Sequence, residues 1–176
     1  IDTEGFLLLT NDGQLAHNLL SPRKHVAKRY FAIIKGIVTD EDVEHFKKGV
    51  VLDDGYNTMP AELKIQKKYA IANGREYSGI SGVEYSAASQ KEYSVTNRKK
   101  NSETYRGEHF DISGSEGSEI ELVLHEGKFH QVKRMFEAVG KSVVYLKRIQ
   151  IGGLKLDESL KPGECRELTA ENDSMT

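Results

Sequence analysis

Apolar residues recur along this chain in two periods, and the switches between them divide it into elements. A continuous apolar run over residues 5–10, closed by Asn11-Asp12-Gly13, predicts a buried strand and a tight turn. Leu15, Ala16, Leu19 and Leu20 then follow helical spacing as far as Ser21-Pro22, which predicts a helix over 14–20. Over residues 25–35 the period falls to two. Lys28 and Tyr30 share one face with Val26, Ala32 and Ile34, while Arg29, Phe31 and Ile33 share the other.

Thr39-Asp40-Glu41-Asp42 is a helix-opening pattern, with Val43 and Phe46 turned inward and Gly49 as the stop. Residues 61–68 and 119–125 alternate, with Leu63 and Ile65 in the first set and Ile120, Leu122 and Leu124 in the second. Val132, Met135, Phe136 and Val139 mark the clearest helix, over 131–139, whose other face carries Lys133 and Arg134. Strand patterns return over 143–146 and 149–156. Strands outnumber helices, and few are joined by full crossover helices. The pattern predicts an α+β domain on a largely antiparallel or mixed sheet flanked by short helices.

Composition sharpens this reading by exclusion. The 176 residues suit one domain, or one domain with an appendage, and are enough to bury a core. Hydrophobic residues make up 38% and charged residues 30%, which argues for a folded chain. No apolar run approaches the about 20 residues of a membrane span. The single cysteine, Cys165, excludes an internal disulfide framework and a Cys-rich zinc site. No signal-peptide pattern opens the sequence, so a reducing cytoplasmic compartment is expected. The first residue is Ile1 rather than Met, which predicts that the chain is a fragment.

Residues 69–118 differ from their surroundings. They are rich in Ser and Gly, lack Pro, and space Tyr69, Tyr77, Tyr85 and Tyr93 at equal intervals. They read as an insertion between two strands, a loop or an extra hairpin. An RNA-contacting flap using those tyrosines with Arg98-Lys99-Lys100 is the functional alternative.

The net charge of -2 conceals a segregation of sign. Arg23, Lys24, Lys28, Arg29 and Lys35 cluster without an acid between them, and Lys128, Lys133, Arg134, Lys141, Lys147 and Arg148 accompany only Glu137. Either cluster fits a solvated face. Two of them, interleaved with Tyr30, Phe31, Phe129 and Phe136, also fit a groove for a polyanion such as RNA. Searches for other chemistry return little. There is no phosphate-binding loop and no dinucleotide glycine pattern, and the six histidines contain no metal-ligand pair at helical spacing.

Five strings in one order carry more. They are DTEGFLLLTNDG (2–13), KRYFAIIKG (28–36), HEGKFHQVKRMFEAVG (125–140), LKRIQIGGLKL (146–156) and LKPGECREL (160–168). Together they resemble the pseudouridine synthases, in the branch that modifies ribosomal RNA. HQVKRMF looks most like the small-subunit (16S) enzyme, since relatives acting on the large subunit more often carry NRQVRRM. The resemblance covers residues 1–68 and 119–171. It implies that 1–176 is the catalytic domain of such an enzyme, truncated at its N-terminus, with 69–118 inserted in it.

The resemblance implies an isomerase that needs no metal or cofactor. An aspartate acts as nucleophile while the uracil N1–C1′ bond breaks and the base rejoins the ribose through C5. Aligning Thr3-Glu4-Gly5 with the family motif places that aspartate immediately before Ile1. Asp2 lies two residues late and reads more simply as a polar residue closing a loop. Tyr30 matches the tyrosine that packs against the target base, and Lys133 the basic residue that pairs with the nucleophile. Lys28, Lys128, His130, Gln131 and Arg134 would line the RNA side, and Lys147 and Arg148 would contact its backbone. The implied partner is small-subunit ribosomal RNA, met by a monomer with no membrane. A non-catalytic RNA-binding module that keeps the fold without the nucleophile is the alternative.

Overall fold

A computed structural model describes residues 3–21, 24–72, 75–79 and 116–168. In chain order these form β1 (Thr3–Gly5), α1 (Gly13–Leu20), β2 (Lys28–Lys35), α2 (Asp40–Lys48), β3 (Glu62–Ala72), β4 (Arg75–Gly79), β5 (Gly117–Leu124), α3 (Gln131–Ala138), β6 (Ser142–Ile151) and β7 (Leu154–Lys155). One sheet runs β1-β6-β2-β5-β3-β4, with β7 pairing β6. Only the β1–β6 pair is parallel among these, so the sheet is mixed and the fold is α+β.

The period-two reading of β2 holds in three dimensions. Ala32 and Ile34 are fully buried on the face that α2 and α3 cover, together with Leu63, Ile65, Ile120, Leu122, Leu124 and Leu146. Phe46 of α2 and Phe136 of α3 meet over this layer with ring centroids 4.9 Å apart. The α2 start is a full capping box: the Thr39 hydroxyl accepts from the Asp42 amide, and the Asp42 carboxylate accepts from the Thr39 amide. Gly49 ends the helix at φ +90, where a side chain would run into the Thr58 carbonyl.

Three expectations need correction. The strand expected over 5–10 is the short, exposed β1, which ends at Gly5. There φ is +104 and a Cβ would collide with the Arg148 carbonyl, so the chain leaves the sheet and Leu7 and Leu9 stay exposed. Asn11-Asp12-Gly13 is a helix start and not a hairpin turn, because the Asp12 carboxylate accepts from the Gln14 and Leu15 amides at 2.8 and 3.0 Å. The two strands expected over 143–156 are largely one, β6. Its register against β2 slips between Ile33 and Ile34 and again between Arg29 and Tyr30, and each slip breaks the alternation that a sequence pattern relies on.

Both ends of the segment 69–118 are part of the sheet. β3 continues to Ala72 and pairs antiparallel with β4, and β5 begins at Gly117. Ser118 is fully buried, and its hydroxyl accepts from the Val38 amide at 2.9 Å. Tyr85, Tyr93 and Arg98-Lys99-Lys100 lie outside the described residues, as do Asp2 and Arg23.

Candidate nucleic-acid interface

Three of the expected site residues gather at one end of the sheet, on the face that carries α3. Tyr30 and Arg148 are direct partners in the β2–β6 ladder and therefore share a face. Lys28 lies two residues from Tyr30 on the same side and is only 9% exposed. Its ammonium donates to the Val26 carbonyl at 3.0 Å. Burial, and then the nearby Arg148 guanidinium, hold the Lys28 pKa below the usual lysine value. Two cations kept close, one of them partly desolvated, form a place where an anion would relieve repulsion.

Arg148 also clamps the chain after β1. Its Nε donates to the Phe6 carbonyl at 2.8 Å, and its own carbonyl accepts from the Phe6 amide at 2.7 Å. The residue thus joins three strands: it belongs to β6, faces Tyr30 of β2, and fixes the exit of β1.

The loop between β5 and α3 closes the same end. Leu124, the last residue of β5, pairs with Lys28, and the His125 Nδ1 lies 3.0 Å from the His25 carbonyl. Next comes Glu126, only 4% exposed, whose carboxylate accepts from the Tyr56 hydroxyl at 2.7 Å, the Met59 amide at 2.9 Å and the Gln131 amide group at 2.6 Å. Gln131 is equally buried, and its carbonyl oxygen accepts from the Lys128 amide at 2.9 Å. Gln131, expected to line the RNA side, is placed by these bonds as a buried support of the loop.

Lys128 is exposed, with its ammonium 4.3 Å from the centre of the Tyr56 ring. His130 is exposed too and precedes α3 in the left-handed region, at φ +49. Lys133 sits half-buried in the first turn of α3.

Arg134 is held by two acids of the segment before Gly55. Its guanidinium reaches Asp53 at 2.5 Å and Asp54 at 2.6 Å. Hydrogen bonds that it donates to Asp54 and then to Asp53 raise its pKa further, so it stays charged but locally balanced. Lys147 is separated from the group for a different reason. It pairs with Phe31 in the ladder and so lies on the opposite sheet face from Tyr30 and Arg148. There it lines an open depression of about 510 Å³ with Arg29 and Glu121, which form an ion pair at 2.9 Å.

Glu126, Asp53 and Asp54 had two available signals, the isolated acid of HEGK next to basic residues and the acid pair before Gly55. Nothing in spacing alone shows that these acids converge on α3. Among the described residues, no three His, Cys, Asp or Glu side chains are grouped to hold a metal ion. No described helix is long and apolar enough to cross a membrane.

An α+β fold on a mixed sheet, with a cationic end beside a tyrosine, is what the geometry gives, and comparison with known proteins specifies the family. The chain belongs to the RNA pseudouridylate synthase family, whose model matches residues 1–138. It is 41% identical over 170 residues to the uncharacterized RNA pseudouridine synthase YtzG of Bacillus subtilis, covering 97% of this chain and 52% of that protein. It is 34% identical over 172 residues to the ribosomal small subunit pseudouridine synthase A of Escherichia coli, covering 97% and 53%. A crystal structure of a pseudouridylate synthase superposes with a TM-score of 0.60 at 28% identity, over 95% of this chain and 52% of the other. The chain spans about half the length of the curated relatives it matches.

Proposed function

We propose that this chain is the catalytic portion of an isomerase that converts a specific uridine of small-subunit ribosomal RNA to pseudouridine. The observation that carries the reading is the convergence of Lys28, Tyr30 and Arg148 on one face, at the sheet end where α3 begins with Lys133 in its first turn. The relative that acts on the ribosomal small subunit supports the choice of RNA.

In this reading the uridine leaves its stack and packs against the Tyr30 ring. Lys28 and Arg148 hold flanking phosphate, which offsets their mutual repulsion. Lys128 and His130 extend the contact along the loop before α3, whose first amide groups favour phosphate. The aspartate that attacks the ribose belongs immediately ahead of Ile1. Lys133 pairs with it and keeps it ionised, since a partly buried carboxylate without a cation favours its neutral form. Lys147 contributes only to the opposite face, and Arg134 acts mainly through Asp53 and Asp54. The enzyme works as a cytoplasmic monomer and supplies the chemistry from its own side chains.

The test is to incubate two proteins with small-subunit RNA transcripts and map pseudouridine by nucleotide. The 176 residues alone are expected to bind without turnover. The same residues preceded by their native upstream sequence are expected to modify one site. Binding without modification by both would support the non-catalytic RNA-binding module instead. Turnover by the 176 residues alone would transfer the nucleophile's role to Asp2.

A further inference from the structure

Phe129 is the most exposed large apolar side chain among the described residues, at 77%, and it lies in the loop that forms the candidate interface. It is not a loose surface residue. Its ring is stacked on that of its neighbour His130, with centroids 3.8 Å apart and planes 21° from parallel. Adjacent side chains rarely stack in a regular helix or strand, where successive residues point apart. Here the backbone of His130 is turned into the left-handed region at φ +49, which few residues other than Gly adopt, histidine being among those that do so more often.

That turn is fixed from behind. Glu126 and Gln131, both buried, tie the two ends of the loop together at 2.6 Å, and Gln131 also holds the Lys128 amide. An exposed aromatic pair is therefore mounted on a hydrogen-bonded base, with a left-handed residue at the mounting point. One face of the Phe129 ring is covered by His130, and its high exposure leaves the other open. Lys128 stands immediately before it with its ammonium in solvent beside Tyr56.

We propose that Phe129 is a stacking platform for an unpaired nucleobase of the RNA, placed next to the target uridine and separate from Tyr30. The inference rests on the RNA-modifying reading above and adds a second base site to it. Stacking on an aromatic face with a cation alongside suits any base, so the platform would hold the strand open without reading its sequence. A flat apolar ring offers little to a phosphate, and a rigid stack of a single ring offers too little area for a protein partner.

Phe129→Leu keeps an apolar side chain and removes the ring, whereas Phe129→Trp enlarges the ring and makes it fluorescent. The position is exposed, so folding should be unaffected by either substitution. Affinities would be measured for a single-stranded small-subunit RNA segment and for versions with an abasic nucleotide at each position around the uridine. Phe129→Leu is expected to weaken binding about tenfold. One abasic RNA is expected to bind the unchanged protein about equally weakly and to show no further loss with Phe129→Leu. Phe129→Trp is expected to retain affinity and to be quenched by the intact RNA only.

Salt-sensitive RNA binding that Phe129→Leu leaves unchanged would overturn the platform and leave the function standing. Equal losses on intact and on every abasic RNA would also overturn it, because the ring would then not be meeting a base. No RNA binding by the unchanged protein would overturn both readings.

Discussion

Arg148 lies directly across the β2–β6 ladder from Tyr30 and, through its Nε, holds the Phe6 carbonyl at 2.8 Å. The proposed base-packing ring and the exit of β1 therefore meet at a single residue. Tyr30→Phe keeps the ring and its packing against the core, so base stacking should survive. Tyr30→Ala should lose roughly 1–3 kcal/mol of base interaction. Arg148→Met keeps much of the side-chain volume but loses the charge and the bond to the Phe6 carbonyl, leaving only the backbone bond there, and should reduce both RNA affinity and the rate with bound RNA. Single-turnover rates at saturating RNA, set beside direct affinities, separate these effects. Normal binding and rate for Tyr30→Ala would remove Tyr30 from the site.

Lys133 is expected to act on the protein's own carboxylate rather than on RNA. Lys133→Met in the complete enzyme should therefore lower the single-turnover rate by at least tenfold while changing affinity little. Because the nucleophile would lose its cation, its pKa should rise, and the remaining activity should need a higher pH than the parent enzyme. A pH–rate profile measured with saturating RNA checks this. An unshifted profile with a normal rate would return Lys133 to the helix surface.

Much of this arrangement was legible in the sequence, for a reason that particular residues make clear. Ala32, Ile34, Ile120 and Leu122 alternate without interruption, and Thr39, Asp42 and Gly49 are local signals that act within one turn of helix. Such patterns survive into the fold because neighbours in sequence decide them. Three kinds of information did not survive. The slips of β6 between Ile33 and Ile34 and between Arg29 and Tyr30 change which of its residues share a face on either side of them, so one strand reads as two. The Asp53, Asp54 and Arg134 contacts join residues about eighty positions apart, which no period encodes. Gln131 stands at a helix start among basic residues, a context that suggests an RNA contact, yet its partner is a buried Glu126 that spacing does not reveal.

The acid clamp on Arg134 yields a prediction opposite to that for the other cations. Removing Asp53 and Asp54 together as asparagines should free the guanidinium and strengthen RNA binding, with a steeper fall in affinity as salt rises. Lys28→Gln should do the reverse and flatten the salt dependence by about one phosphate contact. Titrations across a series of salt concentrations read both slopes. Weaker binding by the Asp53→Asn, Asp54→Asn protein would show that the clamp positions Arg134 for RNA.

The Glu126 carboxylate accepts from three donors in a buried position, so its removal takes that acceptor from all three. Glu126→Ala should destabilise the fold by about 3 kcal/mol or more, and Gln131→Leu by about 1–3 kcal/mol. For Gln131→Leu the loss should extend to RNA affinity, since the loop carrying Lys128, Phe129 and His130 would be less firmly held. Chemical unfolding combined with RNA titration measures the two effects. Gln131→Leu with unchanged stability but lost affinity would restore Gln131 as a direct RNA contact.

The pair Asp42–Lys141 links the start of α2 to the segment after α3, with Nζ to carboxylate distances of 2.9 and 3.0 Å. Burial alone would raise the Asp42 pKa, but the Thr39 amide, the Lys141 ammonium and the Thr39 hydroxyl together outweigh it. The net pKa lies below the ordinary value of 3.8. A carboxylate whose pKa is depressed in the folded state adds stability above its unfolded pKa and loses it as pH falls through the folded value. Unfolding free energy should therefore drop on acidification from about pH 4 downward, and the Asp42 share of that drop should vanish in Asp42→Asn. At neutral pH, Asp42→Ala should cost about 2–3 kcal/mol, because the cap is lost and the mostly buried Lys141 is left without its carboxylate. Replacing both residues, with Lys141→Met added, should recover part of that loss. Denaturant titrations of the parent protein and the three variants between pH 3 and pH 7 test the argument. Equal acid sensitivity in the parent and in Asp42→Asn would mean that the pair contributes no pH-dependent stability.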